Sequence, residues 1–514
     1  MEDLQISEIG LLFSRWIPMG RIRWALSAAA FAIHLAVAGR YDFFRDELYF
    51  IACGRHPAFG YADQPPLVPL IAAATQMFGE HLWLLRAASA LGAFGLVWFT
   101  CAFAELLEAG AAGVVLAGVA AATAPMYLGL ATTLNTSCYE PLAWTAVTYF
   151  IGRAVVSGEA RAWLWAGLTA GIAMEAKYEL PLFLAPLLVA LALTGNGRAL
   201  LRRHALLGFL LAAAIALPSV IWQLAHHLPF LELLRAGAAG KNKVVPGGIF
   251  LLNQVMVMNP LYALLALAGV LAPFTSARLT QWRFVGLGFA LALLATMAMH
   301  GKDYYFAPAY GPAFALGAAA LDGWVRRVWV KLLPLLPALA FSAAAAPMAM
   351  PILDPPRLAA YMRALHQAPE SGENLDQGDI PQEFADMLGW RELAQNVAAA
   401  VRTLPPEDQK RVVILGRNYG ESGALDFFGP ALGLPAVIGR HNQYWYWGPR
   451  GYDGSLMIWI NWSPERLTDK CAEVRSIGHF GTPHAMPYEE GSITLCRGLR
   501  RPILEEWAEL KLII

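Results

Sequence analysis

"RIRWALSAAAFAIHLAVAGRYDFFRDELYF", residues 21–50, runs from two arginine-bearing turns through a mainly apolar stretch into Arg45, Asp46 and Glu47, set among aromatics. Crossing the hydrocarbon of a bilayer takes about 20 mostly apolar residues, and 22–39 supplies that length. Three adjacent charges so soon after it have two readings. They end a span in the headgroups, or they are reactive groups held against the membrane.

The rest of the chain agrees with a membrane setting. Of 514 residues, 57% are hydrophobic and 15% charged, against about 25% charged in a soluble domain. The mean hydropathy is +0.46. Seventeen Trp and 17 Tyr suit aromatic belts at two interfaces. The formal net charge is zero and no basic run appears, which argues against a nucleic-acid partner bound through phosphates. The first residues lack a short apolar core followed by a small-residue cleavage site, so no removable signal peptide is expected and the first span stays as an anchor. Cys53, Cys101, Cys138, Cys471 and Cys496 make no disulfide framework. Only Cys471 and Cys496 lie in the polar C-terminal part, where a single bridge is one option.

The same length criterion places spans near 22–39, 86–106, 111–130, 138–156, 161–176, 179–196, 204–222, 256–274, 283–299, 304–322 and 330–350, about 11 in all and at most about 13. Basic residues alternate across them. Arg15, Arg21 and Arg23 flank the first. Arg153 and Arg161, then Arg198, Arg202 and Arg203, then Arg278 and Arg283, then Arg326, Arg327 and Lys331 fall on the same side. By the positive-inside rule the N-terminus is cytoplasmic and the C-terminus outside.

Two outer loops, 40–85 and 223–255, exceed mere turns, and 47–56 and 65–78 read as short interfacial helices. Asp63 is a candidate cap for the second, with Pro65 and Pro66 in its first turn. Domain boundaries follow: 1–351 is transmembrane and 352–514 a soluble α/β domain outside. Its entry, "ILDPPRLAAYMRALHQAPESGENLDQGDIPQ", reads as a linker. "RVVILG", "GSLMIWI" and "SITLCRG" read as strands, and "ERLTDKCAEVRS" as a helix.

Ionisable groups at a membrane face are natural places to seek function. Arg45, Asp46 and Glu47 are either a solvated loop or a carboxylate that takes a proton from an attacking hydroxyl. Asp63 and Gln64 are either a cap or part of a substrate cavity. Glu140, in "TTLNTSCYEPLAW", enters an apolar span, where an acid costs up to about 3 kcal/mol and needs a partner or a purpose. Lys302, Tyr304 and Tyr305, in "MHGKDYYFAPAYGP", are interfacial anchors or phosphate holders. Lys177 is a further cation on the outer side. His226 and His227 are polar tips in the headgroups or metal ligands. Together these groups describe an outward-opening cavity suited to moving a group off a lipid phosphate.

At these residues the sequence resembles the GT-C glycosyltransferases, and within them the bacterial protein O-mannosyltransferase type (glycosyltransferase family 39), which includes the enzymes that add aminoarabinose to lipid A. "RDELY" resembles the family's first-loop Asp-Glu motif, "DQPPL" its second loop motif, "EPLAW" its acid-Pro-Leu pattern and "GKDYYFAPAYGP" its Lys-x-Tyr-Tyr segment. "NYGESGALDFFG", "GLP" and "HNQYWYWGP" look like the outer domain of a bacterial branch. The resemblance covers nearly the whole chain. It implies a polyprenyl-phosphate sugar as donor, a lipid A, glycan or protein acceptor, and inverting transfer at the outer face of the inner membrane. On it, Asp46 is the general base, Glu47 its neighbour in one hydrogen-bond network, and Glu140 a second acid of the cavity. Tyr304, Tyr305 and Lys302 contact the donor phosphate. Arg45, Asp63 and Gln64 line the cavity. Aminoarabinose-type relatives carry Lys where this chain has Gln64, so Lys177 or Lys302 substitutes for that cation. Asp63 with His226 or His227 corresponds to a metal pair in such relatives. Two ligands make no site, so a divalent ion is left open and the chemistry is expected to need none. The rival classes are a flippase for a lipid-linked glycan, against which the lack of inverted repeats counts, and an envelope assembly protein whose "HNQYWYWGP" stacks on sugars.

Overall fold

The computed structural model describes residues 18–369 and 373–514. Arg15 of the basic flank, and Glu370, Ser371 and Gly372 of the expected linker, lie outside the described residues. The chain divides into two compact units. Among the described residues the first takes 18–38, 83–218 and 244–350, and the second takes 39–82, 219–243, 351–369 and 373–514.

The first unit is helical. Each expected span coincides with helix, but proline and asparagine interrupt several. Pro125 cannot donate a backbone hydrogen bond, and the segment 111–130 splits into Ala111–Thr123 and Pro125–Leu130. Pro308 sits in a 3₁₀ turn, Ala307–Ala309, ahead of the helix Tyr310–Trp324. Gly247–Val257 and Pro260–Thr275 meet at a 108° bend. There Asn259 has φ +75°, and its side chain accepts from Leu261 N while donating to Ala338 O at 2.8 Å. Among the described residues, five helices are long and apolar enough to cross a membrane unaided: Leu82–Leu106, Leu180–Leu201, Arg203–Ala225, Ala277–Ala298 and Val328–Ala349. The bent pair is either a sixth, broken span or a re-entrant loop. Other expected spans are shorter helices, such as Glu140–Val155 with 16 residues and Ala162–Ala176 with 15. This is the build of a multi-pass membrane protein. The helices approach closely through small residues, as membrane helices do. A Cβ on Gly317 would lie 2.0 Å from Leu265 O, and one on Gly269 would lie 2.2 Å from Ala313 O.

The second unit holds a five-stranded sheet, β1 Val413–Gly416, β2 Val437–Gly439, β3 Leu456–Ile460, β4 Cys471–Phe480 and β5 Gly491–Leu499, in the order β2-β1-β3-β5-β4. β1 runs parallel to β2 and β3, whereas β5 is antiparallel to β3 and β4. The apolar runs at β1 and β3 are buried along their full length, which is why they read clearly as strands. Cys471 and Cys496 are joined by a disulfide.

Three local expectations change here. "ERLTDKCAEVRS" is not a helix. A short 3₁₀ turn, Pro464–Leu467, leads into the edge strand β4. Its outward charges suit an edge, and Glu473 lies opposite Arg497 on β5 at 3.5 Å. The partner strand overrides local propensity. The supposed linker contains a helix, Pro355–Ala364, capped by Asp354 through Arg357 N, with Leu358, Ala359 and Met362 buried. In the first outer loop the helix is Leu67–Gln76 with Pro66 ahead of it and no side-chain cap. Asp63 therefore has another job.

Candidate functional site

In the second unit the charges of "RDELY" open the helix Arg45–Arg55. Glu47 is fully buried and turns back to accept Phe44 N–H at 2.8 Å, closing the first turn. This gives Glu47 a capping task, where the sequence reading made it a catalytic neighbour. Arg45 is held on several sides. Its guanidinium meets Tyr488 Oη at 2.5 Å and Asp386 at 3.4 Å, and Tyr488 in turn donates to Asp386 at 2.7 Å. Arg45 thus pairs mainly with a buried acid 341 positions further along the chain.

Asp46 is partly exposed. Tyr419 Oη donates to its Oδ1 at 2.8 Å, and Arg45 Nε lies 3.6 Å from the same oxygen. Oδ2 has no partner among the described residues. One oxygen of the carboxylate is fixed and the other is open, the arrangement a general base needs.

Asp63 lies behind this group. Its oxygens accept from Tyr49 Oη at 2.7 Å and Asn442 Nδ2 at 3.1 Å. Tyr49 also accepts from Gln443 N, and Gln443 Oε1 accepts from Ala62 N. Gln64 is buried, 4.0 Å from Cys53 Sγ. Burial pushes the Asp63 carboxyl from 3.8 up to about 6, with Asp46 adding to the rise and the Tyr49 and Asn442 hydrogen bonds opposing it. The folded value exceeds the unfolded one, so this group's stabilisation is complete below about pH 4 and is lost as pH rises through about 6. Burial of His441, which lowers its value to about 3, acts the opposite way over the same range. Comparison with Asp63→Asn isolates the acid. The melting temperature of wild type relative to Asp63→Asn is expected to rise as pH falls from about 7 to about 4, and a difference independent of pH contradicts this.

The proposed metal pair does not form a site. Both Asp63 oxygens accept protein hydrogen bonds. His226 stacks on Trp222 at 3.9 Å and bonds its carbonyl at 2.8 Å, while His227 has φ +64° on an exposed turn. Among the described residues no three His, Cys, Asp or Glu side chains group as metal ligands.

In the first unit four of the singled-out residues converge. Glu140 starts the helix Glu140–Val155, and Lys177 lies just beyond the helix Ala162–Ala176. Lys177 Nζ donates to Ser137 Oγ at 2.8 Å and Glu140 at 3.0 Å, and meets Glu179 at 2.7 Å. It also lies 5.2 Å and 5.0 Å from the ring centres of Tyr304 and Tyr305. Two of the three N–H donors of the ammonium are taken by Ser137 and Glu140, and Glu179 adds an ion pair. Lys177 is thus a counter-ion to Glu140 and Glu179 and lies against the tyrosine pair. Glu140 Oε1 is buried without a hydrogen bond, beside a small cleft of about 10 Å³ lined by Tyr139, Trp144, Ala173 and Leu180 among others. Lys302 stands at the start of the short helix Asp303–Phe306. Asp303 accepts from Asn253 and Gln254 of the helix Gly247–Val257, each at 2.8 Å.

Sequence reasoning missed Ser137, Glu179, Asp386, Tyr419 and Tyr488. Ser137 and Glu179 lie within three residues of positions already marked. The other three come from far along the chain, and only "NYGESG" carried a visible signal.

Residues 63–222 match the family model described as dolichyl-phosphate-mannose-protein mannosyltransferase. Two solved structures are similar in fold. ArnT from Cupriavidus metallidurans bound to undecaprenyl phosphate has a TM-score of 0.61 at 13% identity, over 92% of this chain and 97% of that one. The same protein in the apo state has a TM-score of 0.60 at 14% identity, with the same coverage. No curated protein matches in sequence.

Proposed function

We propose that this chain is a GT-C-type glycosyltransferase that moves a sugar from a polyprenyl-phosphate carrier to a hydroxyl of a lipid A, glycan or protein acceptor, with inversion, at the outer face of an inner membrane. The proposed topology is eleven spans with the N-terminus inside. The observation that carries the reading is the gathering of Glu140, Tyr304 and Tyr305 around the ammonium of Lys177. The undecaprenyl phosphate bound by ArnT supports the class of carrier.

In this reaction the acceptor oxygen attacks the anomeric carbon, the carbon–oxygen bond to the phosphate breaks, and the phosphate leaves with the electron pair. Asp46 takes the acceptor proton on Oδ2. Lys302 and the hydroxyls of Tyr304 and Tyr305 contact the leaving phosphate, whose negative charge grows as it departs. Lys177 holds the two rings, and Glu140 and Glu179 neutralise it. No step is routed through a metal, because Asp63 and His226 do not fit one.

The test uses purified protein in liposomes, a radiolabelled polyprenyl-phosphate sugar and an extract of envelope acceptors. Label appearing on acceptor is the expected result. Movement of the labelled lipid across the bilayer without transfer makes the protein a flippase, and neither outcome leaves an assembly role.

A further inference from the structure

The segment "RNYGESG", residues 417–423, supplies Tyr419 to Asp46, and each of its other positions serves that placement. Asn418 and Glu421 form a reciprocal cap: Asn418 Oδ1 accepts Glu421 N at 2.9 Å, and Glu421 Oε2 accepts Arg417 N at 2.7 Å and Asn418 N at 3.3 Å. Such a pairing fixes where a helix begins, here the helix Tyr419–Phe428. Ser422 Oγ donates to Asn418 O at 3.0 Å. Gly420 and Gly423 thin the face turned to the helix Arg45–Arg55. A Cβ at 420 would lie 2.4 Å from Arg45 Cγ, and one at 423 would lie 3.1 Å from Leu48 C. The cap sets the register and the glycines set the distance.

What this placement delivers is the hydroxyl of Tyr419 on Asp46 Oδ1 at 2.8 Å. The phenol ring is clamped by Tyr49 and His441, with both centroids at 4.8 Å, and the Arg45 guanidinium lies 5.2 Å from its centre. Arg45 Nε approaches the same oxygen. We propose that Tyr419 is a positioning residue for the transfer reaction: it pins Oδ1 of Asp46 so that Oδ2 faces the acceptor proton. The sheet-bearing C-terminal segment thereby completes the base of the first outer loop. This rests on the reading of Asp46 as general base.

Tyr419→Phe removes one oxygen and keeps the ring clamp. A hydrogen bond to a charged group is worth about 1.5–3 kcal/mol, so kcat is expected to fall roughly 10- to 100-fold. KM for donor and acceptor stays within about twofold, because no substrate contact is lost. In an Asp46→Asn background the same change costs almost nothing further, since groups that act through one another are not additive. A wild-type kcat for Tyr419→Phe, or an equal fractional loss in both backgrounds, overturns the proposal. If Tyr419→Phe does not fold, Tyr419→His, with a ring N–H donor, decides: kcat within about tenfold of wild type supports positioning, and a larger loss overturns it. Absence of transfer by the wild type is a separate result and defeats the proposed function.

Discussion

Asp46→Asn is expected to abolish useful turnover, lowering kcat by about 10²–10⁴-fold, the usual contribution of a general acid or base, in a protein that still folds. Asparagine keeps the shape of the side chain and retains an Oδ1 that accepts from Tyr419. Arg45 keeps Asp386 and Tyr488, its nearer partners. What disappears is the open oxygen able to take a proton. The measurement is single-turnover transfer in liposomes, with melting temperature as the control. Near-normal turnover removes Asp46 from the role.

Lys177→Met is expected to destabilise the protein by about 3–5 kcal/mol, the cost of stripping one partner from a buried ion pair. Glu140 is 6% exposed at its side chain and Glu179 20%. Without the ammonium, two carboxylates face each other across a poorly hydrated site and the tyrosine rings lose their cation. Thermal unfolding in detergent reads the loss. Adding Glu140→Gln to Lys177→Met should restore part of it, because one unpaired charge is removed. Glu140→Gln alone should lower turnover with little effect on expression. A Lys177→Met variant that melts like wild type shows that the ion cluster contributes nothing to the fold.

Apolar runs and turn residues made much of this molecule legible. Every expected span coincides with helix because hydrophobic length is a local property. β1 and β3 were readable because both of their faces are buried. What local pattern does not carry is pairing. β4 looked helical because its partner, β5, lies some 20 residues on. Asp63 looked like a cap because the groups it accepts from, Tyr49 and Asn442, are 14 and 379 positions away. Lys177 looked available because its two acids and its serine sit on different turns of chain. Glu140, Lys177, Tyr304 and Tyr305, each marked from the sequence, lie together. Which of them are bound by their neighbours and which keep an open atom is a question of geometry.

The construction of the second unit sets a timetable for biosynthesis. Arg45 and Asp46 are translated early, but Asp386, Tyr419 and Tyr488 follow by more than 300 codons. At ordinary elongation rates that wait is on the order of 20–70 s. During it, Arg45 and Asp46 have only each other, because the later partners that fix them are not yet made. A chain released before the last quarter of the message therefore carries the loop without the tyrosine and the buried acid that hold Asp46 and Arg45 in the finished protein.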